Sequence, residues 1–359
     1  MKSSSGAHFI ALDHVRALAA LMVVTWHFIH ATNGYPVTFD YVPAIFPLAV
    51  LDEGHTGVAL FMTLSGYLFA KLLDGKSIDY RAFIWNRALR LLPLLIVVIL
   101  LVGLQKLLNG ESIAAYAQSI AQGLWLPSLP NGGWSITVEF HYYLILPLLL
   151  WMLHQSQWLP FSVIGVALVL RWFLHQHHGE IQFLAYATLV GRIDQFVLGM
   201  LAYHFSGYIA RRHVLVLLAI VAFTAFYWFF DQQGGFFRNP SYPSPSPIWI
   251  FMPTIEGLVY AIGIAWYDNS FAHSQSNFSK LVARLGEYSY SIYLLHFFVV
   301  FEAARFVHEH IMDISNFYLA CVWALFFFVL MLLPGYVSFR LIEAPFLRHR
   351  RRYIKVPGA

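Results

Sequence analysis

Charge is what this sequence has least of. Asp, Glu, Lys and Arg make up 11% of its 359 residues, where soluble domains carry about a quarter, and that scarcity excludes a water-exposed globule. Cysteine is almost missing too. Cys321 stands alone in an apolar run, so neither a disulfide framework nor a dithiol relay can be built. The net charge of +4 is no signature of nucleic-acid binding. What fills the chain is apolar, 59% hydrophobic with 18% aromatic residues. Runs near the roughly 20 residues that span a bilayer lie at about 8–31, 55–73, 84–105, 136–153, 159–175, 185–206, 213–230, 248–267, 288–307 and 317–341. They are too long for barrel strands of about ten alternating residues. The sequence predicts an all-α polytopic bundle of about ten spanning helices, one domain over 1–359.

The N-terminal MKSSSGAHFIALDH has no A-x-A-like cleavage site and reads as a retained first helix. With that terminus in the cytoplasm, 17 of the 22 Lys and Arg residues collect on the cytoplasmic side, from Lys2 to Lys355 and including the run RHRRRYIK. The opposite side keeps Lys106, Arg171, Arg238 and Arg305. The positive-inside rule then places both termini in the cytoplasm. Segments 32–54 and 231–247 read as solvated outer loops whose aromatics (Tyr35, Phe39, Tyr41, Phe236, Phe237, Tyr242) suit either sugar stacking or headgroup contact. Residues 106–135 hold a short amphipathic stretch, interfacial or re-entrant. HQHH at 175–178 reads as a loop at a helix end, and the scattered histidines predict no metal site. No internal repeat is visible, which argues against a transporter built from inverted halves.

Three clusters carry chemistry. In RALAALMVVTWH, Arg16 and His27 are eleven residues apart, which is three helical turns and about 16 Å of rise, so they share a face, flanked by Asp13 and His30. Such a stripe is expensive in a membrane unless it lines a polar cavity, the bland alternative being snorkelling at the two interfaces. In FIWNRALRLLP, Arg87 and Arg90 lie on one side of a helix, suited to phosphate oxygens or to lipid anchoring. In GGWSITVEFHYYLILPLL, Glu139 reaches the depth of His27 and can orient its imidazole, or it is satisfied by a neighbouring helix. Ser65–Gly66 is no nucleophile elbow and suits close helix packing. Arg192, Asp194, Glu256 and His296 are further polar marks inside spans. Asp13, Asp194 and Glu256 fit structural pairing or substrate contact equally.

Taken in order, these motifs resemble the acyltransferase-3 family of integral membrane acyltransferases. The elements are Arg16 with ten residues before His27, GVALFMTLSGYLF at 57–69, the Arg87/Arg90 pair with Pro93, Trp134 with Glu139, Arg192 with Phe196 and Gly199, SIYLLH ending at His296, and LIEAPF at 341–346. Met62 departs from the family's usual second Phe. The resemblance implies transfer of an acyl group, most often acetyl, from cytoplasmic acyl-CoA to a hydroxyl of a carbohydrate-containing acceptor, such as an envelope polysaccharide or lipid-linked precursor, in the bacterial inner membrane. It also implies a stand-alone member without an SGNH-type domain. The implied roles are His27 as general base or transient acyl carrier, Glu139 as its partner, Arg16 holding the donor or stabilising negative charge in the transfer channel, and Arg87 with Arg90 on the CoA phosphates. Trp134, His296 and Ser65 would line the cavity. The partners expected are acyl-CoA, the acceptor and lipid. The rival reading is a transporter or flippase with an intramembrane His/Glu/Arg relay.

Overall fold

The computed structural model describes residues 9–354; Lys2 and Lys355, counted above for orientation, lie outside them. The principal helices are α1 (Ile10–Ile29), α2 (Gly57–Leu73), α3 (Tyr80–Leu108), α4 (Ile113–Gln122), α5 (Trp134–Gln155), α6 (Phe161–His178), α7 (Leu189–His204), α8 (His213–Gln232), α9 (Ile248–Ser270), α10 (Asn277–Glu287), α11 (Ser289–Leu295), α12 (Val300–Phe306) and α13 (Phe317–Leu330). Among the described residues there is no strand, only an isolated bridge between Ile78 and Ile354.

All ten apolar runs are helical, yet the count of about ten spans is not reproduced. Among the described residues seven helices are long and apolar enough to cross a bilayer, or eight if the pair Ser289–Phe298 and Val300–Ile311, bent by 61°, is one span. The differences lie at α6 and α7. HQHH is not a loop: it forms the last turn of α6, which ends at Gly179 in the left-handed region (φ 74°), and its polarity shortens the apolar run. The sixth run breaks at Thr188 into Gln182–Ala187 and α7, and α7 spends Arg192, Asp194 and Gln195 on buried polar contacts.

The centre of the bundle is α2, 78% buried along its span, with α1 at 61%, whereas α3 and α8 are only 28% buried and form its rim. Rim side chains such as Leu100, Leu104, Leu108, Val214 and Leu218 are exposed, as an apolar belt facing lipid requires. Helices α2 and α7 touch through backbone. A Cβ on Gly66 would stand 2.0 Å from Phe196 O, and one on Gly199 2.0 Å from Thr63 O, so the reciprocal glycines set the crossing.

Two buried carboxylates between the helices are paired, as a low-dielectric interior demands. Arg171, expected as a flank charge at a helix end, is instead fully buried. Its guanidinium grips both Asp194 oxygens at 2.9 and 2.7 Å and donates to the carbonyls of Ile250 and Gly191. Glu256 accepts from Thr56, Tyr227, Gln195 and Arg192. Structural pairing thus accounts for both carboxylates.

The basic segment after Leu347 turns back onto the bundle. Asn86 bonds the Arg351 backbone in both directions at 2.7 and 2.9 Å, and Asp79 N–H donates to Tyr353 O at 2.7 Å. Tyr353 is buried.

Candidate active site

A cavity of about 220 Å³ opens where α1, α2, α3, α5 and α11 meet the returning segment. Its mouth carries three guanidinium groups, Arg87, Arg90 and Arg350. Arg87 sits over the rings of Phe69 and Phe83, 5.3 and 5.7 Å from their centroids, and its buried Nε has no hydrogen-bond partner. Arg90 Nη1 donates to Glu343 at 2.7 Å, and Ser291 bonds the other oxygen of that buried carboxylate. Desolvation, then the neighbouring charges of Arg90 and Arg87, hold the Arg350 guanidinium down at about 10. Arg90 and Arg350 both feel the Glu343 carboxylate, and Arg87 adds a third guanidinium whose Nε is free to meet an acceptor.

Deeper in, Glu139 accepts from Tyr143 OH at 2.5 Å and Ser65 Oγ at 3.2 Å. Arg16 lines the opposite wall, tied to Asp13 at 2.5 Å. Both readings of Ser65–Gly66 therefore hold at once, Gly66 for packing and Ser65 for the cavity. The inner end is Ser135 and Tyr293. Tyr293 OH donates to Gly132 O at 3.1 Å. Gly132 has φ 73°, and a Cβ there would stand 2.8 Å from that hydroxyl, so only glycine admits the approach.

One turn beyond Tyr293 is a pair of imidazoles. His296 opens the short turn His296–Phe298 that continues α11 ahead of the 61° bend, and its Nε2 is 3.3 Å from His27 Nδ1. His27 Nδ1 is also 2.8 Å from Val23 O, and His296 Nδ1 is 3.1 Å from Ile292 O. A carbonyl oxygen only accepts, so in the neutral state each Nδ1 carries the proton. His296 Nε2 then offers a lone pair to His27 Nδ1–H, and His27 Nε2 is the bare, basic nitrogen. No hydrogen bond among the described residues engages it, and none joins His27 to Glu139.

Of the residues named from sequence, the cavity brings together Arg16, Ser65, Arg87, Arg90 and Glu139. His27 and His296 form a second group past its inner end. Trp134 turns its ring towards Tyr186, 5.0 Å away, and Arg192, 6.0 Å away. Sequence reasoning passed over Tyr143, Tyr293, Glu343, Arg350 and Tyr353. Tyr143, Tyr293 and Glu343 lay inside quoted motifs, where a polar atom in an apolar span was the available signal. Arg350 and Tyr353 had none, being read as a solvated basic tail.

The family model for an acyltransferase domain, acyltransferase-3, matches residues 9–339. The chain is 24% identical over 386 aligned positions to the "Putative O-acetyltransferase SACOL0978" of Staphylococcus aureus (strain COL), covering 93% of this chain and 56% of that protein. The "Putative O-acetyltransferase SAS0844" of strain MSSA476 matches equally. A shorter stretch of 162 positions, 38% of this chain and 23% of the relative, is 26% identical to the peptidoglycan O-acetyltransferase OatA of Listeria monocytogenes serovar 1/2a. The chain spans about half the length of the S. aureus relatives it matches. No solved structure matches.

Proposed function

The chain belongs to the acyltransferase-3 family, and from that premise we propose that it moves an acyl group, acetyl in the first instance, from acyl-CoA to a hydroxyl of a carbohydrate-containing acceptor of the bacterial envelope. The observation that carries this is the convergence of Arg87, Arg90 and Arg350 on the lining of one cavity. Guanidinium forks match phosphate oxygens, and CoA is the phosphate-rich acyl donor of the cytoplasm, the side where the basic residues gather. The donor's arm would run inward past Arg16, Ser65 and Glu139 towards Tyr293, with Glu139 serving the cavity rather than the imidazole.

His27 is the general base in this reading. Its Nε2 takes the acceptor's hydroxyl proton as the oxygen attacks the thioester carbonyl. The C–O bond forms, the C–S bond breaks, and the proton passes to the departing thiolate. While His27 is an imidazolium, its Nδ1–H is shared between Val23 O and His296 Nε2, which supplies the orientation and charge dispersal that a carboxylate gives in other acid/base pairs.

The test is acetyl-CoA binding and turnover by purified protein in nanodiscs. Saturable binding weakened in Arg87→Ala and Arg350→Ala, with acceptor-dependent release of CoA, supports the assignment. Binding indifferent to both arginines overturns the donor site. Transport without CoA release returns the polar stripe of α1 to a translocation path.

A further inference from the structure

Four arginines stand at positions 348–352, and one of them turns inward. Arg348, Arg351 and Arg352 are exposed, whereas Arg350 is half-buried and lines the cavity. A segment this near the end of a chain has a set direction only where something ties it down. Two consecutive side chains on α3 do so. Trp85 Nε1–H donates to His349 O at 3.3 Å. Asn86 closes two bonds with Arg351, its amide nitrogen donating to the carbonyl at 2.7 Å and its oxygen accepting from the backbone N–H at 2.9 Å. The residues on either side of Arg350 are thereby pinned. Arg351 spends its own side chain elsewhere, its guanidinium 5.6 Å from the Trp85 ring.

Asn86 is fully buried and directly precedes Arg87. A primary amide carries both an acceptor oxygen and N–H donors, so it can meet a backbone N–H and C=O together, as a paired strand does. A buried amide on an apolar helix is costly unless both halves are met, and here both are met by a segment 265 residues further on. The docking continues towards the start of α3. Tyr353 is buried with its ring 5.6 Å from that of Phe83, and Asp79 N–H donates to Tyr353 O at 2.7 Å. Asn86 itself does not line the cavity. Its polar atoms are spent on Arg351, so any effect it has on a bound molecule runs through the segment it holds.

We propose that Asn86 is a positioning residue for the donor: by holding the Arg351 backbone it aims the Arg350 guanidinium into the cavity, beside Arg87 and Arg90, to meet a phosphate of acyl-CoA. The role rests on the donor reading above and adds to it the residue that sets one of its cations in place. A guanidinium on a loose segment gives up backbone and rotamer freedom when it binds. One whose backbone is already held gives up less, and the difference appears as donor affinity.

The experiment measures acetyl-CoA binding by calorimetry at several ionic strengths, in nanodiscs, for wild-type protein, Asn86→Ala, Arg350→Ala and the double variant. Asn86→Ser, whose hydroxyl can keep one of the two bonds, is measured alone and with Arg350→Ala, and carries the same test if the alanine variant does not fold. Kd should rise about three- to tenfold in Asn86→Ala and less in Asn86→Ser. In Arg350→Ala it should rise about tenfold and no further in the double variant, because an arginine that is absent cannot be misplaced. Affinity in Asn86→Ala should also fall less steeply with salt than in wild type, one screened contact having been weakened. An unchanged Kd in Asn86→Ala, a wild-type salt dependence in that variant, or a double variant weaker than Arg350→Ala by the full Asn86→Ala factor each overturns the positioning role alone. Binding that Arg87→Ala weakens and Arg350→Ala does not removes Arg350 from the donor site, and Asn86 with it. Absence of acetyl-CoA binding by folded wild-type protein overturns the donor reading itself.

Discussion

Replacing His296 by leucine separates the roles of the two imidazoles. The change removes the Nε2 lone pair that faces His27 Nδ1–H at 3.3 Å, while Val23 O at 2.8 Å remains to hold the ring. A hydrogen bond to a charged group is worth about 1.5–3 kcal/mol. This one is the longer arm of a shared proton, so the low end applies, and it acts only once His27 is protonated in the transition state. A loss of about 1.4 kcal/mol is roughly tenfold in rate. Removing the base itself, His27→Ala, is expected to cost about 10²- to 10⁴-fold. His296→Gln restores an acceptor oxygen and should recover part of the loss. The assay is single-turnover acyl transfer in nanodiscs with donor binding measured separately, and acyl-CoA affinity should not move in any of the three. A loss in His296→Leu as deep as in His27→Ala would refute the tautomer argument and make His296 the reacting group. No loss at all would mean that Val23 O suffices.

Other expected outcomes follow from the packing. Arg350→Ala should raise the Kd for acetyl-CoA about tenfold, the low end for a charge-assisted contact, and affinity should fall with added salt; calorimetry across ionic strengths checks both. Arg171→Leu leaves the Asp194 carboxylate buried without its cation and should destabilise by about 3–5 kcal/mol, whereas Arg171→Leu with Asp194→Leu should recover most of that; thermal melts in detergent compare them. Gly199→Val places a branched side chain on Thr63 O, already 2.0 Å from a Cβ. Size-exclusion profiles of that variant should show no monodisperse folded protein.

Much of the cavity lining was legible because its residues lie on few helices at helical spacing. Arg87 and Arg90 are one turn apart, and Arg16 and Glu139 stand out as charges inside apolar runs. Their convergence was not legible, since it depends on α2 drawing up to α7 through Gly66 and Gly199. Periodicity placed Arg16 and His27 on one face of α1, but the cavity stops at Tyr293, and the His pair continues the line because His296 follows Tyr293 by one turn. Depth along the membrane suggested Glu139 as a partner for His27. Depth fixes one coordinate of three, and in the lateral plane Tyr143 and Ser65 are the neighbours Glu139 meets. The count of about ten spans is not confirmed at α7, a helix of 16 residues that buries Arg192 and Asp194 against partners a window average does not see. Arg171 looked like an interfacial cation for the same reason.

The returning segment has a consequence for biosynthesis. Asn86 and Arg351 grip each other across 265 residues of chain, so Arg87 and Arg90, inserted early, wait for almost every other helix before Arg350 and Tyr353 arrive to close their side of the mouth. A half-made chain therefore lacks part of the cavity lining. The cavity wall is completed only when the segment after Leu347 docks against α3, once the last helix is in place.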